Sequence, residues 1–222
     1  MNDHTPAAAP RAATRPSASP RSIRASGRLT HWRTIDLLTC AFLGVAFGVA
    51  YWGWGLAYAA PSNAVSVGFP PLGALFNWPW VVAGIVGALV IRRPGAAVFT
   101  ELLAAVVSAL IGTQWGLTTL VSGLAEGLGV ELGFAVFGYQ AFRWAPLLLG
   151  GFLGGAFEAV YEWYSYWTDW DFGYKLAYLL LLGGSVAVFG SLLAVGLTRL
   201  LAAAGALAPF PPGQEARERS AV

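Results

Sequence analysis

The chain has 222 residues, 57% of them hydrophobic and 11% charged, with a formal charge of +2. Soluble domains carry about 25% charged residues, and the mean hydropathy here is +0.62. These figures exclude a soluble enzyme, a disordered regulator and a nucleic-acid binder, and they point to a membrane protein. The single cysteine, Cys40, excludes a disulfide framework and a CxxC metal site.

Residues 1–34 hold Pro6, Pro10, Pro16 and Pro20, six arginines and one acid, Asp3. Such a segment cannot bury a core and is expected to be a disordered, Arg/Pro-rich cytoplasmic tail. Its arginines and serines raise a transit peptide, but the prolines oppose the amphipathic helix that one needs.

Six apolar runs follow, at about 36–59, 72–91, 95–112, 117–138, 145–166 and 174–201. Each is near the ~20 residues that cross a ~30 Å hydrocarbon core. The third is the weakest, because it contains Glu101. Pro61 to Pro71, Arg92 to Gly95, Gly112 to Gly116, Arg143 to Pro146 and Thr168 to Gly173 separate the runs. Backbone groups in lipid must be satisfied within the segment, so helices are expected. The prediction is an all-α membrane protein, a six-transmembrane-helix bundle over 35–205, with a short cytoplasmic C-terminal tail over 206–222. Six spans put both termini on one side. That side takes all twelve arginines, and the other takes Lys175 beside Asp169 and Asp171. The positive-inside rule makes both termini cytoplasmic.

Small residues four apart let helices approach closely. The pairs are Gly44/Gly48 and Ala46/Ala50 in the first run, Gly123/Gly127 and Gly129/Gly133 in the fourth, and Gly150/Gly154 and Gly151/Gly155 in the fifth. Packing within the bundle explains such pairs, and so does docking of another membrane subunit. The first run is the better docking candidate, because a terminal helix is often peripheral.

Five glutamates fall inside the runs: Glu101, Glu126, Glu131, Glu158 and Glu162. An acid at mid-membrane costs about 2.5–3.5 kcal/mol on insertion scales, so each needs a reason. Glu158 and Glu162 share a helix face bordered by Tyr161. Glu126 and Glu131, five apart, serve different neighbours. Interhelical hydrogen bonding competes with ligand binding or proton relay for Glu101 and Glu131. Solvation near the outer interface competes for Glu158 and Glu162.

Eight of the ten tryptophans map to the outer half: Trp52, Trp54, Trp78, Trp80, Trp115, Trp163, Trp167 and Trp170. Lipid anchoring explains any one of them. As a set beside carboxylates they suit an outward-facing pocket for a flat, cationic or amino-bearing ring. Asn77 and Gln114 lie at the same level. Both histidines, His4 and His31, precede the first run, so a histidine-ligated metal site or Ser-His dyad within the membrane is excluded. With no phosphate-binding loop, the chain alone is not expected to hydrolyse ATP.

The order of motifs resembles the YkoE-type substrate-binding (S) components of energy-coupling factor (ECF) vitamin transporters. The residues that carry the likeness are Phe42 to Val49, Ile91 to Ala97, Glu101 to Ala105, Trp115-Gly116 and Gly127 to Glu131. The likeness spans roughly 33–205. It implies a six-helix S component in a bacterial plasma membrane. Such a component captures thiamine or its hydroxymethylpyrimidine (HMP) precursor from outside. It would dock on a T component coupled to two ATPase subunits, which use the ATP; the chain itself needs no cofactor. The family's docking face maps onto Gly44, Gly48, Ala46 and Ala50. For ring contact the expected residues are Trp115 and Trp78. Glu126 and Glu158 are expected to meet amino or cationic groups, with Gln114, Asn77, Tyr161 and Glu162 in support. The alternatives are a proton-coupled carrier using Glu101, Glu126 and Glu131, and a non-transport membrane scaffold.

Overall fold

A computed structural model describes residues 22–220. Among these residues there is no β-strand. The long first helix α1 (Thr34–Ala57) is followed by the short α2 (Ala59–Ser66). Two 3-10 turns, Pro70–Phe76 and Trp78–Val81, lead into α3 (Val82–Ile91). Next come α4 (Ala96–Ile111), α5 (Thr119–Ala135) and α6 (Trp144–Ser165). Helix α7 (Phe172–Ser185) passes through a π-helical turn, Val186–Gly190, into α8 (Ser191–Ala203). A last helix, α9 (Pro211–Ser220), closes the described chain.

Helix α3 sits at the centre, with every residue from Val82 to Ile91 buried. It has no polar side chain to keep at a surface, and α1, α4 and α8 pack around it. Sequence neighbours pair in turn: α4 with α5, α5 with α6, and α6 with α7. The α5–α6 contact is backbone on backbone. A Cβ on Gly133 would lie 2.2 Å from the Cα of Gly150, and one on Gly129 would lie 2.3 Å from the Leu153 carbonyl. Only glycine allows that approach.

The second apolar run is broken. Pro70, Pro71 and Pro79 lack N–H groups, and the chain bends by 43° between the 3-10 turn Pro70–Phe76 and the segment that ends in α3. The first amides of α3 therefore begin deep in the molecule without intrahelical partners.

Thr34–Ala57 and Phe172–Ala203 are long and apolar enough to cross a membrane, and the bent pair makes a third. The other expected runs fall short for identifiable reasons. Helix α4 has only 16 residues. Helices α5 and α6 are diluted by glycines that face each other and by Glu126, Glu131, Glu158 and Glu162.

One end of the bundle gathers arginines. The tail expected to be disordered over 1–34 is in place from residue 22 onward, while residues 1–21 lie outside the described residues. Buried Arg93 donates to the carbonyls of Ser26 and Arg28, both at 2.7 Å, and to Asp36 at 2.9 Å. The Ile23 N–H donates to Glu215 at 2.8 Å. The Trp32 indole donates to the Pro94 carbonyl at 3.2 Å. Within the expected C-terminal tail, α9 packs on α3 and α8, and Leu207 and Phe210 are buried. These segments order because buried guanidinium groups require acceptors, and the flanking carbonyls and Glu215 supply them. The opposite end carries Trp167, Asp169, Trp170, Asp171 and Lys175.

The expected docking face divides. Gly44 and Gly48 face inward against α4: a Cβ there would lie 2.8 Å from Leu103 and 2.5 Å from Val107, respectively. Their small size serves packing within the molecule. Ala46 and Ala50 are exposed.

Candidate functional site

A cavity of about 510 Å³ opens near the tryptophan-rich end, among α1, α2, the 3-10 turns, α4, α5, α6 and α7. Four carboxylates line it: Glu101, Glu126, Glu158 and Glu162. Among the described residues the lining has no Arg, Lys or His. Burying like charges without a counter-ion is costly, so such a lining suits a ligand that brings N–H donors or positive charge.

Each acid is placed by its element. Glu101, on α4, accepts from the Gly84 N–H at 2.6 Å and from Tyr51 Oη at 3.1 Å. Tyr51 Oη in turn accepts from the Ala83 N–H at 2.8 Å. The pair thus satisfies the orphan amides that the broken run creates at the start of α3. Ser122, one turn before Glu126 on α5, donates to Glu158 at 2.5 Å. Asn77 donates to Tyr178 Oη at 2.8 Å, and Tyr178 donates onward to Glu162.

These bonds leave acceptors over. Glu101 Oε1, Glu158 Oε2 and Asn77 Oδ1 are buried and have no partner. An unpartnered buried polar group costs about 1–3 kcal/mol. Three unpartnered acceptors around one cavity form a pattern that donor groups on a ligand would complete.

Two aromatic groups line the cavity. Tyr58, Trp80 and Trp115 contact one another with ring centroids 5.0–5.6 Å apart. Trp167 and Trp170 are stacked at 4.4 Å and both touch Tyr178. Such faces suit a flat ring, and a cationic ring most of all.

Of the residues expected from sequence, Trp115, Asn77, Glu126, Glu158 and Glu162 line the cavity. Trp78, Gln114 and Tyr161 do not. Trp78 packs on Phe189 at 6.2 Å, and Trp80 takes the place expected for it. Gln114 is exposed, while its neighbours Thr113 and Trp115 turn inward. Tyr161 makes an edge contact with Tyr166, and the phenol that reaches Glu162 is Tyr178. Glu101, for which interhelical hydrogen bonding, ligand binding and proton relay all stood open, lies in the cavity wall. Glu131 stands apart and caps the start of α4, accepting from the N–H groups of Gly95 at 2.7 Å and Ala97 at 3.0 Å. Trp80, Trp167 and Trp170, from the outer tryptophan set, also line the cavity, as do the outer-half Tyr51 and Tyr58. Sequence reasoning did not single out Tyr178, whose outer-half position was its only signal.

Fold and site together define a membrane-embedded helical protein that encloses a small-molecule cavity. A model of the family described as "ABC-type cobalt transport system, permease component" matches residues 35–157. The chain belongs to this family of transport permease components, and it is not an enzyme. It is 26% identical over 190 residues to a curated protein of Bacillus subtilis (strain 168), "Putative HMP/thiamine permease protein YkoE". That alignment covers 85% of this chain and 94% of the relative. A crystal structure of an S-component of an ECF transporter matches with a TM-score of 0.77 at 26% identity. It covers 86% of this chain and 95% of that one. The resemblance carried by the ordered motifs is therefore confirmed, and the fold is that of an S component.

Proposed function

We propose that the chain is the substrate-capture component of an ECF-type importer. It binds thiamine or HMP in the four-glutamate cavity and docks on a T component that carries two ATPase subunits. The observation that carries this reading is the lining: four acids, unpartnered acceptor oxygens and, among the described residues, no base, together with two aromatic groups. An aminopyrimidine supplies the donors, and a thiazolium supplies the positive charge. The volume lies within the range of small-molecule sites, about 300–1,000 Å³. In this reading the chain crosses a bacterial plasma membrane six times, with the arginine end and both termini cytoplasmic and the cavity opening outward. The ATP is used by the partner subunits, and the chain holds no cofactor of its own. Against a proton relay through Glu101, Glu126 and Glu131 stands the position of Glu131, which is committed to capping α4.

Intrinsic tryptophan fluorescence of the detergent-purified chain tests the proposal. Thiamine or HMP is expected to quench or shift the emission. Thiamine diphosphate, whose phosphates would face four carboxylates and find no Arg, Lys or His in the lining, is expected to bind far more weakly. No response to thiamine or HMP at millimolar concentration would overturn the substrate assignment.

A further inference from the structure

A second cavity, of about 800 Å³, opens at the arginine end between α3, α6, α8 and α9. Its lining contains four arginines, Arg92, Arg143, Arg199 and Arg219, against two acids, Glu215 and Glu218. Arg92 is already engaged. It pairs with both oxygens of Glu215 at 2.6 and 3.1 Å, donates to the Ile23 carbonyl, and lies 4.9 Å from the centre of the Phe142 ring. Arg143 and Arg199 make no hydrogen bond or ion pair among the described residues. The lining therefore keeps an excess of positive charge with its donors free.

A second observation points the same way. Thr198, only 6% exposed, lines this cavity beside Arg199, and its hydroxyl has no partner. A buried hydroxyl and two free guanidinium groups are the donor set of a phosphate site. Apart from Ser22 the rest of the wall is apolar, with Leu89, Leu147, Val195 and Trp144 among it. Trp144 is 47% exposed at the first residue of α6, where an interfacial tryptophan sits. An inorganic anion has no use for that wall, whereas an acyl chain does.

We propose that this cavity is a binding site for an anionic phospholipid. Arg143, Arg199 and Thr198 hold the phosphate, and the acyl chain runs along Leu147 and Val195. Basic pockets between membrane helices on the cytoplasmic side recognise such headgroups.

Native mass spectrometry of the delipidated full chain tests the site, with dioleoyl phosphatidylglycerol and dioleoyl phosphatidylcholine as probes. The expected result is selective retention of phosphatidylglycerol. The double change Arg143→Gln/Arg199→Gln should weaken retention by roughly 30-fold, the effect of two basic residues near an anionic lipid. Arg143→Lys/Arg199→Lys should restore most of it. Both arginines are exposed, so the variants are expected to fold, with circular dichroism and monodispersity as the check. Equal retention of the two lipids, or an unchanged double variant, would overturn the proposal. Full displacement of the lipid by millimolar inorganic phosphate would reassign the site to a free anion and overturn the lipid assignment.

Discussion

Trp78 and Trp80 stand two residues apart on one 3-10 turn, Trp78–Val81. Three residues per turn set them about 120° apart around the axis, so one faces the cavity while the other packs on Phe189. The contrast gives a prediction by calorimetric titration with thiamine. Trp80→Ala should weaken binding about tenfold, the worth of one good aromatic contact to a cation. Trp78→Ala should change it less than about twofold, since that ring never reaches the cavity. The reverse pattern would place the ligand elsewhere. The carboxylates were legible in the sequence because an acid in an apolar run needs a partner or a cavity whatever the fold. An α-helical reading of the run 72–91 also sets Trp78 and Trp80 on different sides, but spacing alone does not say which side faces the cavity. Tyr178 and Tyr51 were hidden for a different reason: each reaches its glutamate from another helix, and chain spacing carries no trace of that.

The glycine pairs report how close α5 and α6 lie. Gly133→Ala would push a methyl group onto the backbone at Gly150. Overpacking of this kind costs about 1–3 kcal/mol, a fall in Tm of about 2–12 °C. Gly184, on α7, has nothing within 4 Å of its Cβ position, so Gly184→Ala should leave Tm unchanged or raised. Thermal unfolding of the two variants side by side checks both. At the arginine end, α9 is held by a titratable contact. Burial works to raise the pKa of Glu215. The hydrogen bonds and charge of Arg92, the Ile23 N–H and the Arg219 charge outweigh it and hold the carboxyl below its ordinary 4.5. A lowered pKa means that the contact stabilises fully above 4.5 and is lost as pH falls through the lower folded value. Protection of residues 211–220 from hydrogen exchange, taken relative to the intrinsic amide rate at each pH, should therefore be high at neutral pH and fall in acid. Glu215→Gln should show low protection at both, and wild-type protection in that variant would contradict the role. The existence and order of the apolar segments were readable from hydropathy. The docking of residues 22–33 and α9 was not, because it depends on arginines whose acceptors lie far along the chain.

At the scale of the molecule, charge and shape divide between the two ends. Arginines collect where the chain segments 22–33 and α9 fold back, and the acid-lined cavity opens at the other end. Our reading of the chain as a capture component requires the bundle to stay intact while a partner grips it from the side. Helix α1 can offer such a surface. Positions two apart lie about 200° around a helix, so Gly44 and Gly48 pack against α4 while Ala46 and Ala50 stay exposed. Phe42, 77% exposed, and Val49 border that outer face. Ala46→Leu/Ala50→Leu should therefore leave Tm and thiamine affinity unchanged but remove the chain from complexes isolated through a co-expressed T component with its ATPases. Gly44→Leu should instead destabilise the isolated chain, because its side chain would collide with Leu103. If the double leucine variant still enters the complex, the partner grips another face of the bundle. If it loses thiamine affinity as well, α1 reports on the cavity through Tyr51, and docking and capture are coupled within a single helix.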